Sequence, residues 1–235
     1  MSITKEILNF YKKIEDDNFH RYKSWEHCYS YFKTNLNKSI DYEYASLQLA
    51  FYLASWGMYR GSTVLFWKDY KIHIDLLRDI FLKYKKLYKI NIRNEEMFDE
   101  YSNTIYLAAN EIKEYYNKNI KYKDGGKIKY EPTDTLATKI LLGIYGCIPA
   151  FDRYFKKGLK VKTKSRKYIS TEIEDIKKVF LYLKENNDSI FIAEKYINNK
   201  SNIKYTKMKL LDMYLWNVGK KAFEKEKKLR KNKKS

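Results

Sequence analysis

The sequence predicts an all-α fold, a multi-helix orthogonal bundle in one domain or in two closely packed helical subdomains. Three observations predict it. Only 8 Gly and 2 Pro occur in 235 residues, too few for the tight turns on which hairpin-rich β architectures depend. Apolar residues make up 44% of the chain and aromatics 17%, enough to bury a sizeable core and to exclude wholesale disorder. Most segments also repeat their apolar residues at helical period.

The elements follow in chain order. Leu47 to Met58 (LQLAFYLASWGM) is apolar on nearly all sides, with Leu47, Phe51 and Ala54 on one face and Leu49, Leu53 and Trp56 on others. Such a helix belongs in the middle of a bundle, and its dozen residues fall short of the ~20 needed to cross a bilayer. From Ile72 to Tyr88, the positions Ile72, Leu76, Leu77, Ile80, Phe81, Tyr84 and Tyr88 form one apolar face, opposite Lys71, Asp75, Arg78, Asp79, Lys85 and Lys86. A further helix spans about Glu95 to Lys118, with Phe98, Tyr101, Ile105, Ala109, Ile112 and Tyr116 on one stripe. Asn117 to Pro132 is polar and holds the turn signal Asp124-Gly125-Gly126 between short Lys/Tyr/Ile stretches. It reads as a small hairpin or ordered loop, and as the subdomain boundary near 117–132. Later helices fall at Thr133–Tyr145, Asp152–Lys157, Thr171–Glu185, Ser189–Asn198 and about Asn202–Lys228. The expected organisation is one all-α domain over 1–219 and a basic C-terminal tail over 220–235.

Charge points to partners. The chain holds 48 Lys+Arg against 29 Asp+Glu, a net charge of +19. Nine of those bases and only Glu224 and Glu226 lie in the tail. A basic surface is the electrostatic footprint of a phosphate-backbone binder; the alternative is a Lys/Asn/Ile/Tyr-rich composition in which lysine simply solvates the surface. Cys28 and Cys147 are far apart without a CxxC, and His20, His27 and His73 are scattered, so neither a disulfide framework, a metal site nor a cofactor is expected. The N-terminal MSITKEILNFYKKIEDD lacks the apolar core of a signal peptide. A cytoplasmic protein with no membrane association is the expectation.

The most informative segment is Thr133 to Leu159, TDTLATKILLGIYGCIPAFDRYFKKGL. Ala137, Ile140, Leu141 and Ile144 make a packed face, Gly143 and Gly146 permit close approach, Pro149 stops the chain, and Asp152 opens the next helix. An apolar helix ending near a Gly, then Pro-x-x-Asp leading into a short helix, resembles the corresponding stretch of helix-hairpin-helix DNA glycosylases. Leu211-Asp212 with Trp216 and Gly219 (LLDMYLWNVGK) resembles a D-x-x-L-W-x-x-G ending of bacterial oxoguanine-type relatives. The two fragments cover about 40 of the 235 residues.

The resemblance implies DNA as the partner and Asp152 as the catalytic carboxylate, which stabilises positive charge on the sugar or helps to activate water. It also implies an interhelical cleft around Asp152. The place of the family's glycine hairpin is taken here by Lys129-Tyr130-Glu131-Pro132-Thr133-Asp134-Thr135, without those glycines. Asp134-Thr135 stands where bifunctional members carry an imine-forming lysine, and Lys139 lies too close to Asp152 in sequence to match it. Base excision would therefore be monofunctional. The bland reading of Asp152 is a helix N-cap, and that of Asp212 a buried carboxylate satisfied by a Lys or by the Trp216 indole.

Ala45 to Lys68, together with ATKILLGIYGCIPAFDRYF, is similar to stretches in bacterial proteins of unassigned function. Its WGMYRGS end supplies Arg60, suited to a bidentate phosphate contact, and Trp56 as a stacking platform. Around Asp152, Tyr145, Arg153, Tyr154, Lys156 and Lys157 interleave aromatics and bases, as backbone contacts and base stacking require; Lys160, Lys162, Lys164, Arg166 and Lys167 continue the run. Asp212 and Trp216, at i and i+4, are a secondary site candidate. Two other readings stand beside this one. Arg21 and His27 have the Arg-x5-His spacing of HEPN-type metal-independent ribonucleases, and the basic surface alone would suit a non-enzymatic interaction or defence protein.

Overall fold

A computed structural model describes residues 2–123, 126–165 and 167–232; α- and 3₁₀-helices together take up 70% of it, against 2% strand, with ten α-helices among the described residues. They are α1 (Ile3–Glu15), α2 (Lys23–Thr34), α3 (Tyr42–Ser55), α4 (Ile74–Ile80), α5 (Phe98–Asn119), α6 (Asp134–Tyr145), α7 (Arg153–Thr163), α8 (Ile173–Glu185), α9 (Asn187–Lys200) and α10 (Lys207–Asn232). Four short 3₁₀ segments, at Val64–Trp67, Tyr70–His73, Lys85–Lys89 and Glu95–Met97, connect them. The all-α expectation holds.

The helix at the centre is α6, where every residue from Leu136 to Tyr145 is buried, Lys139 included. The sequence points to α3 for that place. Instead α3 packs on α2, α4 and α6 with one side, while Leu47, at 42% exposure, and Phe51, at 58%, face outward. Hydrophobicity all round a helix permits burial on every side; only the number of neighbouring helices decides whether it happens.

The amphipathic stretch Ile72–Tyr88 is likewise not one helix: it runs as 3₁₀, then α4, then turns and a second 3₁₀ segment at Lys85–Lys89. Where α4 ends, the Tyr145 hydroxyl of α6 donates to the Ile80 carbonyl (2.7 Å) and the Phe81 carbonyl (3.2 Å), while Tyr84 N still bonds Ile80 O at i−4. One residue on, Lys85 N bonds Leu82 O at i−3, the 3₁₀ pattern.

Between α5 and α6 a minimal antiparallel pair forms, β1 (Tyr122–Lys123) with β2 (Gly126–Lys127); Asp124 and Gly125 of the expected turn lie outside the described residues, as does Arg166. One hydrophobic core continues across this segment, joining residues from Ile7 to Trp216. Lys113 of α5 bonds Asp134 of α6 (3.2 Å) and Thr171 before α8 (3.0 Å), and Thr171 bonds Asp134 (2.7 Å).

The expected boundary after Gly219 falls inside α10, which continues unbroken to Asn232. Its distal half is docked by Lys221 on buried Glu6 (2.7 Å) and by Lys157 on Glu226 (2.5 Å). α7 lies along α10 so closely that a Cβ on Gly158 would sit 1.9 Å from the Leu215 carbonyl oxygen, and one on Gly219 1.8 Å from that of Tyr154. No helix of the described residues is long and apolar enough to cross a membrane.

Candidate nucleic-acid interface

The turn from α6 into α7 is fixed at almost every residue. Gly146 ends α6 in the left-handed region at φ +62°, as helix C-termini favour, and its carbonyl accepts from the Thr206 hydroxyl (2.7 Å). Ala150 N donates to Asp212 Oδ1 (3.0 Å), Phe151 N to Thr138 Oγ1 (2.8 Å), and the Phe151 carbonyl accepts from the Thr135 hydroxyl (2.8 Å). This frame delivers Asp152 to the N-cap of α7. Its Oδ1 accepts from Tyr154 N and Phe155 N, both at 2.9 Å, while Oδ2 has no hydrogen-bond partner among the described residues. The capping role is therefore present, yet it occupies only one oxygen. Burial raises the Asp152 pKa above the ordinary aspartate value, partly offset by the Lys139 charge and the two N–H bonds.

Opposite it, α3 ends in a Schellman turn: Gly57 N bonds Ala54 O, Met58 N bonds Leu53 O, and Gly57 takes φ +78°. That reversal turns Trp56 and Arg60 toward Asp152. Lys139 reaches out of the apolar face of α6, and its ammonium donates to the Trp56 carbonyl at 2.6 Å, closing the C-terminus of α3 where a cation is favoured. Burial lowers the Lys139 pKa, with Asp152 and Asp212 acting in the opposite sense.

Together these residues line a cleft of about 420 Å³ whose walls include Arg21, Trp56, Arg60, Lys139, Asp152, Arg153, Tyr154 and Trp216. The aromatic wall is a stack. Tyr22 lies parallel to Trp56 (centroids 4.5 Å apart, 16°), and Trp216 meets Trp56 edge-on at 6.2 Å and Tyr154 at 5.1 Å. The Arg153 guanidinium covers the Tyr154 ring at 4.6 Å, and Arg21 covers Tyr22 at 5.1 Å. The Trp56 indole nitrogen is buried without a hydrogen-bond partner. Beneath the floor lies a buried ion pair, Lys209 with Asp212 at 3.0 Å. Its ammonium faces the Trp56 ring at 4.8 Å, and its carboxylate holds Ala150 N, so one pair braces both sides of the cleft.

Of the residues the sequence nominates, Trp56, Arg60, Asp152, Arg153, Tyr154 and Trp216 converge on this cleft, from segments nearly 160 positions apart. Asp212 supports it from below, which matches the bland reading of a carboxylate satisfied by a lysine. Three nominated residues lie elsewhere. Tyr145 is a core residue, 1% exposed, with its hydroxyl spent on Ile80 and Phe81, so its ring cannot serve as a stacking platform in the cleft. Lys156 faces the space between α7 and α8, beside Leu159, Lys160 and Tyr182. Lys157 is committed to Glu226 and to the Phe223 ring at 5.6 Å.

Arg21 and His27 do not form a pair: Arg21, ahead of α2, lines the cleft, whereas His27 is exposed on α2 and is absent from the cleft wall. The sequence reading missed Tyr22, Lys139 and Lys209 as members of the site. For Lys139 the signal was there, a single lysine set in an apolar helical run; Lys209, two positions after Lys207 in the first turn of α10, carried none. No cluster of three or more His, Cys, Asp or Glu suited to a metal ion occurs among the described residues. Compared with protein-family models, curated proteins and solved structures, the chain matches none of them.

Proposed function

We propose that the protein binds nucleic acid, DNA in preference to RNA, in the Asp152 cleft and excises a base from its sugar there. One observation carries the reading: a desolvated carboxylate with one oxygen uncommitted stands in a cleft rimmed by Arg21, Arg60 and Arg153 and walled by Trp56, Tyr154 and Trp216. Guanidinium groups suit bidentate contact with phosphate, and aromatic walls suit a base displaced from its stack. As the C1′–N bond breaks, Asp152 Oδ2 offsets the positive charge on the sugar. It also orients the water whose oxygen bonds C1′, and the departing base takes up a proton. The raised carboxyl pKa makes Asp152 a better proton acceptor than an exposed aspartate.

The test is excision from duplex and single-stranded DNA carrying a panel of damaged bases. Asp152→Asn should lose at least about 100-fold in rate, on the scale of a general base, while keeping salt-dependent DNA binding. Wild-type excision should fall as pH drops through the carboxyl pKa. Equal rates for wild type and Asp152→Asn would defeat the assignment.

A second reading rests on Lys139, whose nitrogen lies in the same cleft and whose pKa burial lowers from the ordinary lysine value. In that case the deprotonated amine, not water, attacks C1′ as the C1′–N bond to the base breaks, and cleavage of C1′–O4′, with the proton passing to O4′, leaves an imine between Lys139 and C1′. Borohydride would then trap a covalent protein–DNA adduct that Lys139→Gln cannot form, and no trapped adduct means that water is the nucleophile.

A further inference from the structure

A second cavity, of about 320 Å³, opens where the end of α2, the 87–92 segment, the Gly146 turn and the start of α10 meet. Its floor and its rim differ in chemistry. On the floor, Leu87 and Met208 are buried, and the aromatic hydroxyls there are already engaged: Tyr88 donates to the Ile144 carbonyl at 2.7 Å, Tyr145 to Ile80, and Tyr205 to Glu26. The floor thus presents ring and aliphatic surface rather than polar groups.

On the rim stand Lys33, Lys204 and Lys207. Lys207 is shared with Glu194 (3.9 Å) and with Asn187 Oδ1 (2.8 Å). Lys33 bonds only the Tyr29 hydroxyl (3.1 Å), and neither Lys33 nor Lys204 has a carboxylate within 4.0 Å among the described residues. The acidic groups facing this rim are Glu194 and, toward Lys207, Asp188. Desolvation lowers the Lys33 pKa, and the Lys204 charge lowers it further, so the two ammonium groups repel each other on the wall of one cavity. An anion placed there would relieve that repulsion.

We propose that this cavity binds a phosphate monoester of mononucleotide size, with the phosphate between Lys33 and Lys204 and the organic group on the Leu87–Tyr88–Met208 floor. The volume lies at the lower end of small-molecule sites, and a dianion matches the two uncompensated lysines. The proposal does not depend on the reading of the Asp152 cleft.

Isothermal titration of the full chain with AMP tests it. Saturable binding is expected, with adenosine and inorganic phosphate each at least about tenfold weaker, because each lacks one half of the recognition. Lys33→Ala and Lys204→Ala should each weaken AMP at least about tenfold, the scale of one charge-assisted contact. Both side chains are exposed, and unchanged thermal melts will confirm that the variants fold. Arg60→Ala, in the other cleft, should leave AMP affinity as it is. A 5′-phosphorylated tetranucleotide separates the two sources of this chemistry: binding weaker than AMP identifies a free nucleotide, and tighter binding a strand terminus. No saturable AMP binding, adenosine or inorganic phosphate binding as tightly as AMP, unchanged affinity in both lysine variants, or an AMP loss in Arg60→Ala overturns the assignment.

Discussion

Asp212→Ala tests the claim that a buried ion pair braces both walls of the cleft. The Asp212 and Lys209 side chains are 4% and 3% exposed, so removing the carboxylate leaves an ammonium without its counter-charge in a nearly dry site. It also orphans the Ala150 N–H that Asp212 accepts at 3.0 Å. Breaking one side of a buried pair costs ~3–5 kcal/mol, to which an unsatisfied buried N–H adds ~1–3 kcal/mol where no water reaches it. Against a total stability of ~5–15 kcal/mol, such a loss is a large fraction. With a urea slope of ~3 kcal/mol per M, the upper end for small proteins, the midpoint should fall by at least about 1 M. Asp212→Asn should cost less, because its amide oxygen can still accept from Ala150 N while only the charge is lost. Lys209→Met with Asp212→Leu should recover much of the loss, since replacing both partners by apolar groups is often neutral. Urea unfolding of the four proteins at pH 7, read by tryptophan fluorescence, measures these differences. A drop under ~1 kcal/mol for Asp212→Ala, or a double variant no better than Asp212→Ala, would refute the reasoning.

Two further predictions follow from packing and titration. Gly158→Ala places a Cβ on the Leu215 backbone oxygen at 1.9 Å, so α7 and α10 must separate; a cost of ~3 kcal/mol or more should lower Tm by about 6–12 °C. Gly61→Ala, with nothing within 4 Å of the new Cβ, should leave Tm within a degree or two, and equal Tm changes for the two would show that the crossing is not tight. His73 is fully buried between the Tyr59 hydroxyl (2.7 Å) and the Tyr116 hydroxyl (2.5 Å), and burial pushes its pKa down to about 3. The unfolded chain binds this proton from about pH 6.5 downward, whereas the folded chain does not. Stability from His73 is therefore complete above ~6.5 and lost below it at up to ~1.4 kcal/mol per pH unit. Its ring resonances should not titrate between pH 5 and 8 by NMR, and a midpoint in that range would contradict the buried neutral state.

Local sequence was enough for what local physics controls. The scarcity of Gly and Pro and the 3.6-residue period gave the all-α class. Thr133, Gly146 and Asp152 marked the start of α6, its end and the start of α7, because caps are set by the backbone groups beside them. Five of the six nominated residues that converge, Trp56, Arg60, Asp152, Arg153 and Tyr154, sit at such a helix terminus or in the turn beside it; Trp216 comes from the middle of α10 and reaches the cleft from the core. The tertiary structure alone decided the rest. Which apolar helix lies at the centre depended on how many neighbours surround it, so α6 took the place that the sequence pattern assigned to α3. The Ile72–Tyr88 stretch passes from α4 into 3₁₀ backbone where Tyr145, 64 and 65 positions later, bonds the Phe81 and Ile80 carbonyls. Lys139 and Lys209 joined the site because burial reverses the meaning of a lysine, from a solvated charge to one that must find a carbonyl, a ring or a carboxylate. A sequence records which side chains carry charge; only the packed chain sets how much water each one loses, and that loss creates the pairs and pKa shifts on which a site is built.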